Sequence, residues 1–239
     1  MDLNIHPREE NLRLYEIEAL LEGSSIIACM GDRLTLASFG MAVPIWPRLL
    51  AAVTTAKEAL AWVEKQPPDL LIATEDLEQG YGIALVRDVE RIHPPTRTLI
   101  FLRRETPAVV NEALEAGADG VMFISSIGQS HGDFFKALKS TRDGSVYYPD
   151  SIRKIARESS PQNQKAFQLL QALSERELEV LKALTAGQTN REIAETLFIS
   201  AETVKSHVSA IIGKLAVRDR TQAVILAIRH GGHLIPTFD

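Results

Sequence analysis

The segment of residues 173–215 has the sequence LSERELEVLKALTAGQTNREIAETLFISAETVKSHVSAIIGKL, which decides the fold of the C-terminal part of the chain. The SERE of residues 174–177 and the TNRE of residues 189–192 are capping boxes, in which a hydroxyl and a glutamate satisfy backbone N–H groups at a helix start. Ser200 is a preferred N-cap for a third helix. The turn of residues 197–200 has the length that a helix-turn-helix requires. The segment therefore predicts three short helices in that arrangement.

The third predicted helix has one apolar face and one polar face. At 100° per residue, an arc of about 60° holds four apolar side chains that would face a core: Val204, Val208, Ile211 and Leu215. A separate arc of about 100° holds small and polar residues: Glu202, Lys205, Ser206, Ser209 and Gly213. A lysine can donate to O6 and N7 of guanine, and serines can exchange hydrogen bonds with base edges. We therefore predict that Lys205, Ser206 and Ser209 contact bases.

Other polar side chains lie at the edges of this face or at the starts of neighbouring helices, where phosphates would run. Those predicted to contact the DNA backbone are Asn190, Arg191, Thr203, His207, Lys214 and Arg220. Capped amphipathic helices also occur in bundles that never bind DNA, and a polar face with one lysine and two serines could be solvated instead.

The same segment resembles the LuxR/NarL-type four-helix DNA-binding domain. The resemblance rests on LSERELEVL at residues 173–181, GQTNREIA at 187–194 and TVKSHV at 203–208, together with Lys214 and Arg220. It extends over about 60 residues, so it is a specific signal. It implies that the third helix enters the major groove, with Lys205, Ser206 and Ser209 at the base-contacting positions. It also implies a dimer contact through the fourth helix, for which Ala223, Val224 and Ala227 are suitably small and apolar.

Length, composition and charge limit the remaining possibilities. The 239 residues allow two domains, and no apolar run approaches the roughly 20 residues of a membrane-spanning helix. The single cysteine, Cys29, excludes an internal disulfide and fits a buried position in a cytoplasmic protein. The net charge is −5, but the part from Leu173 onward has eight Lys/Arg against eight Asp/Glu. A neutral module gains little from phosphate neutralisation, so we expect a homodimer on double-stranded DNA.

The part from Ser25 to about Arg142 alternates short apolar runs with helical patterns. The predicted strands are Ile26–Met30, Leu49–Val53, Leu70–Thr74, Thr98–Leu102 and Val121–Ile124. The predicted helices are Leu34–Val43, Ala56–Lys65, Ile83–Ile92, Pro107–Ala116 and Asp133–Ser140. Such alternation predicts an α/β fold with a five-stranded, doubly wound parallel sheet, receiver- or flavodoxin-like, followed by the small all-α four-helix helix-turn-helix domain.

Four domain boundaries follow from these patterns. Residues 1–24 are predicted to be a helical extension, with Pro7 in its first turn and Gly23 at its end. Its apolar surface, formed by Leu12, Leu14, Tyr15, Ile17, Ala19 and Leu21, could pack on the following domain or form a dimer contact. Residues 25–145 are the predicted sheet domain, residues 146–170 a linker and residues 171–239 the DNA-binding domain.

The sheet domain resembles the receiver domain of two-component response regulators. A receiver has an acidic pair after its first strand, a phosphate-accepting aspartate ending the third, a hydroxyl ending the fourth and a lysine ending the fifth. Those positions here hold Met30, Gly31, Thr74, Leu102 and Ile124. The resemblance therefore implies a degenerate pseudo-receiver that acts without phosphorylation. Phosphorylation at a displaced acceptor, Asp76, is the alternative.

The leading hypothesis is a dimeric transcription regulator that binds promoter DNA. An interaction protein that regulates through a partner on the pseudo-receiver is the alternative. An enzyme is not expected, because the sequence has no Ser-His-Asp order in a suitable context and no Gly-rich phosphate loop. We predict no cofactor and no metal, since His230 and His233 have neither cysteine nor carboxylate partners and fit a fraying helix end.

Overall fold

A computed structural model describes residues 15–43, 45–126, 131–159, 163–231 and 234. Its five strands form one parallel sheet in the order β2-β1-β3-β4-β5. The chain divides into two compact units, residues 1–96 and 97–239, which are described separately below. Within the described ranges, none of the helices is both long and apolar enough to cross a membrane.

The first unit contains three strands and the helices between them. Residues 15–20 belong to a helix, α1. The following elements are β1 (Ile26–Cys29), α2 (Arg33–Ala42), β2 (Leu49–Val53), α3 (Ala56–Lys65), β3 (Leu70–Thr74) and α4 (Gly82–Ile92), with a 3-10 turn at Trp46–Arg48. Strand β1 pairs in parallel with β2 on one side and with β3 on the other.

The core of the first unit forms where β1 and β3 pack against α3 and α4. Ile27, Cys29 and Leu71 are completely buried there, together with Val63 of α3. Burial raises the pKa of the Cys29 thiol to about 12, with a smaller contribution from Glu58. The predicted structural role of the cysteine agrees with this position, since its neighbours are almost all apolar.

The second unit contains the last two strands and all the C-terminal helices. Its elements are β4 (Arg97–Leu102), α5 (Pro107–Glu115), β5 (Gly120–Phe123), α6 (His131–Arg142), α7 (Asp150–Glu158), α8 (Gln164–Gln171), α9 (Glu175–Thr185), α10 (Asn190–Leu197), α11 (Ala201–Leu215) and α12 (Arg220–His230), with a 3-10 turn at Ile124–Ser126. Strands β4 and β5 pair in parallel. The predicted fold class is confirmed; β2 and β3 have the predicted bounds, and the other three strands differ from theirs by one residue at one or both ends.

The two apolar stripes of the N-terminal extension have different environments. Ile17 and Leu21 are buried, whereas Tyr15 and Ala19 are exposed. Gly23 has φ +76 and ends this segment, as predicted. The remaining positions of the predicted extension, Pro7, Leu12 and Leu14, lie outside the described residues, as does His233 at the other end of the chain.

The predicted linker, residues 146–170, contains two helices, α7 and most of α8. Helix α7 buries Ile152 and Ala156 and packs against both α5 and α12. This segment therefore joins the strands of the second unit to its C-terminal helices through a packed helix. The predicted domain boundaries themselves stay a prediction.

Candidate nucleic-acid interface

The helices of the C-terminal module begin where the capping signals predict. Ser174 accepts a hydrogen bond from the backbone N of Glu177, while the Glu177 side chain accepts from the backbone N of Ser174. Thr189 and Glu192 form the same reciprocal pair at the start of α10. Ser200 accepts from the backbone N of Thr203 at 3.0 Å and so caps α11. These local bonds fix the starts of the three helices.

The turn between α10 and α11 is held by backbone geometry. Phe198 has φ 54, in the left-handed region that non-glycine residues seldom adopt, and it ends α10. The backbone N of Ile199 then donates to the Ala194 carbonyl at 3.0 Å. Arg176 of α9 donates to the Leu197 carbonyl, which connects this turn to the first helix of the module. The turn therefore fixes α11 relative to α10.

The two predicted faces of α11 are confirmed by burial. Its apolar residues, Val204, Val208, Ile211 and Leu215, are at most 9% exposed. The three predicted base-contacting residues, Lys205, Ser206 and Ser209, are all exposed. Lys205 Nζ lies 3.2 Å from a carboxylate oxygen of Glu202, and Ser206 Oγ donates to the Glu202 carbonyl at 3.1 Å. The structure thus brings the predicted base-contacting side chains together on one open surface.

Three of the predicted backbone-contacting residues lie at the edges of this surface. Arg191 is exposed and its Nε is 3.4 Å from Glu195, an ion pair along α10. Thr203 is exposed beside the Ser200 hydroxyl, and His207 is half-buried. Their contact with phosphate stays a prediction.

Lys214 has a partner that the sequence analysis does not anticipate. Its Nζ donates to Glu177 at 2.7 Å, on the same carboxylate oxygen that closes the first capping box. Glu177 is only 6% exposed. The hydrogen bond from Lys214 lowers the pKa of the Glu177 carboxyl. Lys214 therefore connects the C-terminal end of α11 to the start of α9.

Arg220 and Asn190 contact each other at the starts of α12 and α10. Arg220 Nη1 donates to Asn190 Oδ1 at 3.2 Å. Burial lowers the pKa of Arg220 to about 10; nearby Arg97 also lowers it, and Asp119 opposes the change. Within the described part of the chain, Arg220 Nε and Nη2 have no hydrogen-bond partner. The side chain predicted to contact phosphate is thus largely enclosed in this conformation.

The side chains predicted to form a dimer contact lie inside the chain. Ala223, Val224 and Ala227 are at most 1% exposed, because α12 packs against α7, α8, α9 and α11. The far end of α12 is held by Arg229, which donates to Asn111 Oδ1 at 2.8 Å and to Glu115 at 3.3 Å, both on α5. A dimer contact through these three side chains therefore requires that α12 first leave some of these neighbours.

A buried carboxylate connects β5 with the start of α12. Asp119 is 3% exposed and accepts hydrogen bonds from Arg97 Nη1 and the Thr98 backbone N, both at 2.9 Å. Thr221 Oγ1 donates at 3.5 Å to Asp119 Oδ1, the oxygen that Arg97 also contacts. Burial raises the pKa of Asp119, and Arg97 opposes that change. The role of Asp119 could not be predicted from the sequence, since the residues that it contacts are distant along the chain.

In the first unit, the strand ends hold the residues that the receiver resemblance singles out. Met30 and Gly31 directly follow β1, and Thr74 is the last residue of β3. Thr74 Oγ1 donates to the backbone carbonyl of Asp76 at 2.8 Å. A Cβ at Gly31 would lie 2.9 Å from that same oxygen, so position 31 has little room for a larger residue.

Three acidic residues lie near these strand ends, and each takes part in the packing or hydrogen bonding of the fold. Asp32 caps α2 and accepts from both the backbone N and the hydroxyl of Thr35, at 2.8 and 2.7 Å. Glu75 is completely buried, and Asp76 forms an isolated bridge with Tyr81. In the second unit, two apolar residues occupy the strand ends, where Leu102 closes β4 and Ile124 follows β5.

The C-terminal helices and their exposed polar face define a helix-turn-helix DNA-binding module. The luxR family of bacterial regulatory proteins matches residues 171–227, which span α9 to α11 and part of α12. The response regulator protein VraR of Staphylococcus aureus strain N315 is 32% identical over 176 residues, which cover 74% of this chain and 81% of VraR. The chain belongs to the response regulators that carry a LuxR-family DNA-binding domain.

Two further proteins show the extent of the similarity. The transcriptional regulatory protein LnrK of Bacillus subtilis strain 168 is 32% identical over 192 residues, which cover 77% of this chain and 86% of LnrK. A solved structure of two RcsB dimers bound to two parallel DNAs has a TM-score of 0.51 and 18% identity, covering 86% of this chain and 96% of that one. The RcsB likeness shows a shared fold, a sheet domain followed by a helix-turn-helix.

Proposed function

We propose that this chain is a phosphorylation-independent transcription regulator that binds promoter DNA as a dimer, with α11 in the major groove. The observation that supports it most is the open polar face of α11 on a well-packed module. Lys205, Ser206 and Ser209 are exposed there, while four apolar residues on the opposite face anchor the helix. A rigid helix that presents donors and acceptors on one side matches the major-groove face of a base pair.

The backbone contacts of the proposed complex divide into two groups. Arg191 and Thr203 are exposed and can contact phosphate oxygens directly, and His207 lies beside them. Lys214 and Arg220 are engaged with Glu177 and Asn190. For those two, a phosphate contact competes with an existing hydrogen bond, so we assign them a smaller share of the affinity.

Phosphorylation independence is supported by the chemistry of the strand ends. An acyl phosphate needs a carboxylate, and Thr74 has a hydroxyl that already donates to a backbone carbonyl. Mg²⁺ needs several oxygen ligands. Met30 and Gly31 supply no side-chain oxygen, and both carboxylate oxygens of Asp32 accept hydrogen bonds at the start of α2. These residues do not fit a Mg²⁺ site.

Incubation with acetyl phosphate and Mg²⁺, followed by intact-mass measurement, tests this part of the proposal. We expect the mass and the affinity for DNA to stay unchanged. A response regulator that is phosphorylated under the same conditions is the positive control. A gain of one phosphate that disappears in Asp76→Asn would establish the displaced acceptor instead.

Selection of bound sequences from a random duplex library tests DNA recognition. We expect the full chain to enrich one site, and Lys205→Ala to lose preference at one or two base pairs by roughly 5- to 100-fold. Lys165→Ala, an exposed lysine on α8, is the matched control and should keep the wild-type site. If the full chain enriches no sequence, DNA recognition is not its function.

A dimer is supported by charge. The module from Leu173 onward is neutral, and the exposed lysine of its DNA-facing surface is paired with Glu202. One copy would release few counterions, so two copies on adjacent half-sites are needed for tight binding. Analytical ultracentrifugation with and without an operator duplex tests this, and a one-to-one complex at saturation would contradict it.

A protein partner on the sheet domain is a second candidate role, and it is favoured by an exposed apolar face of α2. Leu34 and Met41 are 77% and 86% exposed and two turns apart on one side of the helix, and Trp46 nearby is 48% exposed. Exposed apolar patches commonly mark protein contacts. A photo-crosslinking residue at position 41 should then capture one defined protein in cells, unlike the same residue at exposed Lys57.

A further inference from the structure

We infer that Glu202 is a specificity-determining residue that accepts a hydrogen bond from the exocyclic N4 amino group of a cytosine, beside the guanine that Lys205 contacts. This inference rests on the proposed function, because it assumes that α11 lies in the major groove. It adds an acidic residue to a surface for which only donors and serines are proposed above. It also names the kind of base pair that the protein selects.

Glu202 lies within the exposed polar face of α11. At 100° per residue its side chain projects between those of Lys205 and Ser206, about 60° from the former and about 40° from the latter. It is the second residue of the helix, and in helix-turn-helix proteins the N-terminal residues of the recognition helix contact base edges. Its side chain is 80% exposed. Any approach that brings Lys205 and Ser206 to the bases therefore brings Glu202 there too.

Glu202 contacts both of its polar neighbours on this face. Its carboxylate lies 3.2 Å from Lys205 Nζ, and its backbone carbonyl accepts from Ser206 Oγ. The pair places a hydrogen-bond acceptor directly beside a donor on the exposed surface. In the major groove, cytosine offers the N4 donor and guanine offers the O6 and N7 acceptors. The adjacent acceptor and donor on α11 are therefore complementary to the donor of cytosine and the acceptors of guanine.

The negative charge of Glu202 also bears on DNA binding. A carboxylate on a DNA-facing surface is repelled by phosphates, and here it also offsets the charge of the exposed Lys205. That loss of affinity is compensated when the carboxylate accepts a hydrogen bond from cytosine N4. At guanine or thymine, which offer no amino donor in the major groove, the carboxylate stays unpaired, and at adenine the N7 acceptor beside the amino group repels it, so the same residue disfavours these bases.

The experiment compares three full-length proteins in the random-duplex selection: wild type, Glu202→Gln and Glu179→Gln. Glu179 is the matched control, because it is an exposed glutamate paired at i,i+3 with a cation, Arg176, on a different helix. We expect Glu202→Gln to change one position from cytosine to adenine, which glutamine recognises through N6 and N7, with a change in preference of roughly tenfold or more. It should also bind non-specific duplex more tightly, while Glu179→Gln keeps the wild-type site.

The outcomes separate this inference from the proposed function. Enrichment of one site by wild type, with an identical site for Glu202→Gln, overturns the role of Glu202 and leaves DNA recognition intact. A Glu202→Gln site that loses the same preference as Lys205→Ala, with no new adenine, also overturns it, since Glu202 then only positions the lysine. Failure of wild type to enrich any site overturns the proposed function itself.

Discussion

At the scale of single residues, the two lysines of α11 have unlike surroundings. Lys205 pairs with a glutamate that is almost fully exposed, whereas Lys214 pairs with a glutamate that is almost fully buried. A buried carboxylate that loses its cation keeps its desolvation cost, while an exposed one regains water. The lysines should therefore differ in their effect on stability.

We predict that Lys214→Met lowers the stability of the C-terminal module by about 1 kcal/mol at pH 7, because Lys214 is nearly half exposed and solvent screens the pair. The bond lowers the pKa of Glu177, so its contribution is present above the ordinary glutamate value of 4.5 and is lost as pH falls through the lowered value. Thermal melts at pH 7 and pH 3 should show the difference shrinking in acid. Lys205→Met is the control, and equal melting of both variants at pH 7 would contradict the prediction.

The buried thiol gives a second prediction at this scale. Cys29 is 0% exposed and its pKa is raised to about 12, so little thiolate forms and no reagent reaches the sulfur. We expect no reaction with a thiol reagent such as 5,5′-dithiobis(2-nitrobenzoate) at pH 8 in the folded protein, and one equivalent in guanidinium chloride. Rapid labelling of the folded protein would place Cys29 outside the core.

At the scale of elements, two helical glycines predict opposite effects of the same substitution. A Cβ at Gly82, the first residue of α4, would lie 1.9 Å from the Thr74 carbonyl, whereas a Cβ at Gly213 of α11 has nothing within 4 Å. Gly82→Ala should therefore force α4 away from β3 and destabilise by about 3 kcal/mol. Gly213→Ala should stabilise by about 0.5–1 kcal/mol, because alanine restricts the unfolded chain. Urea unfolding measures both, and equal midpoints would contradict the packing at Gly82.

Some helices could be predicted from the sequence, and others could not. Capping boxes lie within four consecutive residues, so the starts of α9 and α10 could be predicted at the residue level. The apolar stripe of α11 could be predicted from periodicity alone. Helix α7 could not, because its short apolar stripe, Ile152 and Ala156, is interrupted by charges and gains its meaning only from packing on α5 and α12.

At the scale of the whole second unit, the position of α12 limits assembly. Its small apolar residues are buried in the chain, and Arg229 holds it to Asn111 and Glu115. If these buried side chains of α12 form the dimer contact, a chain in which α12 is packed in this way cannot dimerise. The balance between them should then depend on the bonds of Arg229.

We predict that Arg229→Ala increases the dimer fraction at a fixed concentration, with a dissociation constant lower by roughly a hundredfold, because bonds worth roughly 1.5 kcal/mol are removed from each of the two chains that must release α12. Light scattering coupled to size exclusion measures the change. Arg91→Ala, an exposed arginine paired with Asp88 on α4, is the control. An unchanged monomer–dimer balance in Arg229→Ala would contradict a role for α12 release in dimerisation.

Three features could be inferred from the sequence: the order of strands and helices in the sheet domain, the capped starts of the DNA-binding helices and the exposed polar face of α11. Those features depend on residues within one or two helical turns or on a strict alternation, so they can be inferred without knowing distant neighbours. The pairing of Lys214 with Glu177, 37 residues away, and the contact of Thr221 with Asp119, 102 residues away, arise only in the folded chain. The environments of Arg220 and α12 follow from such distant contacts, which depend on how whole elements pack.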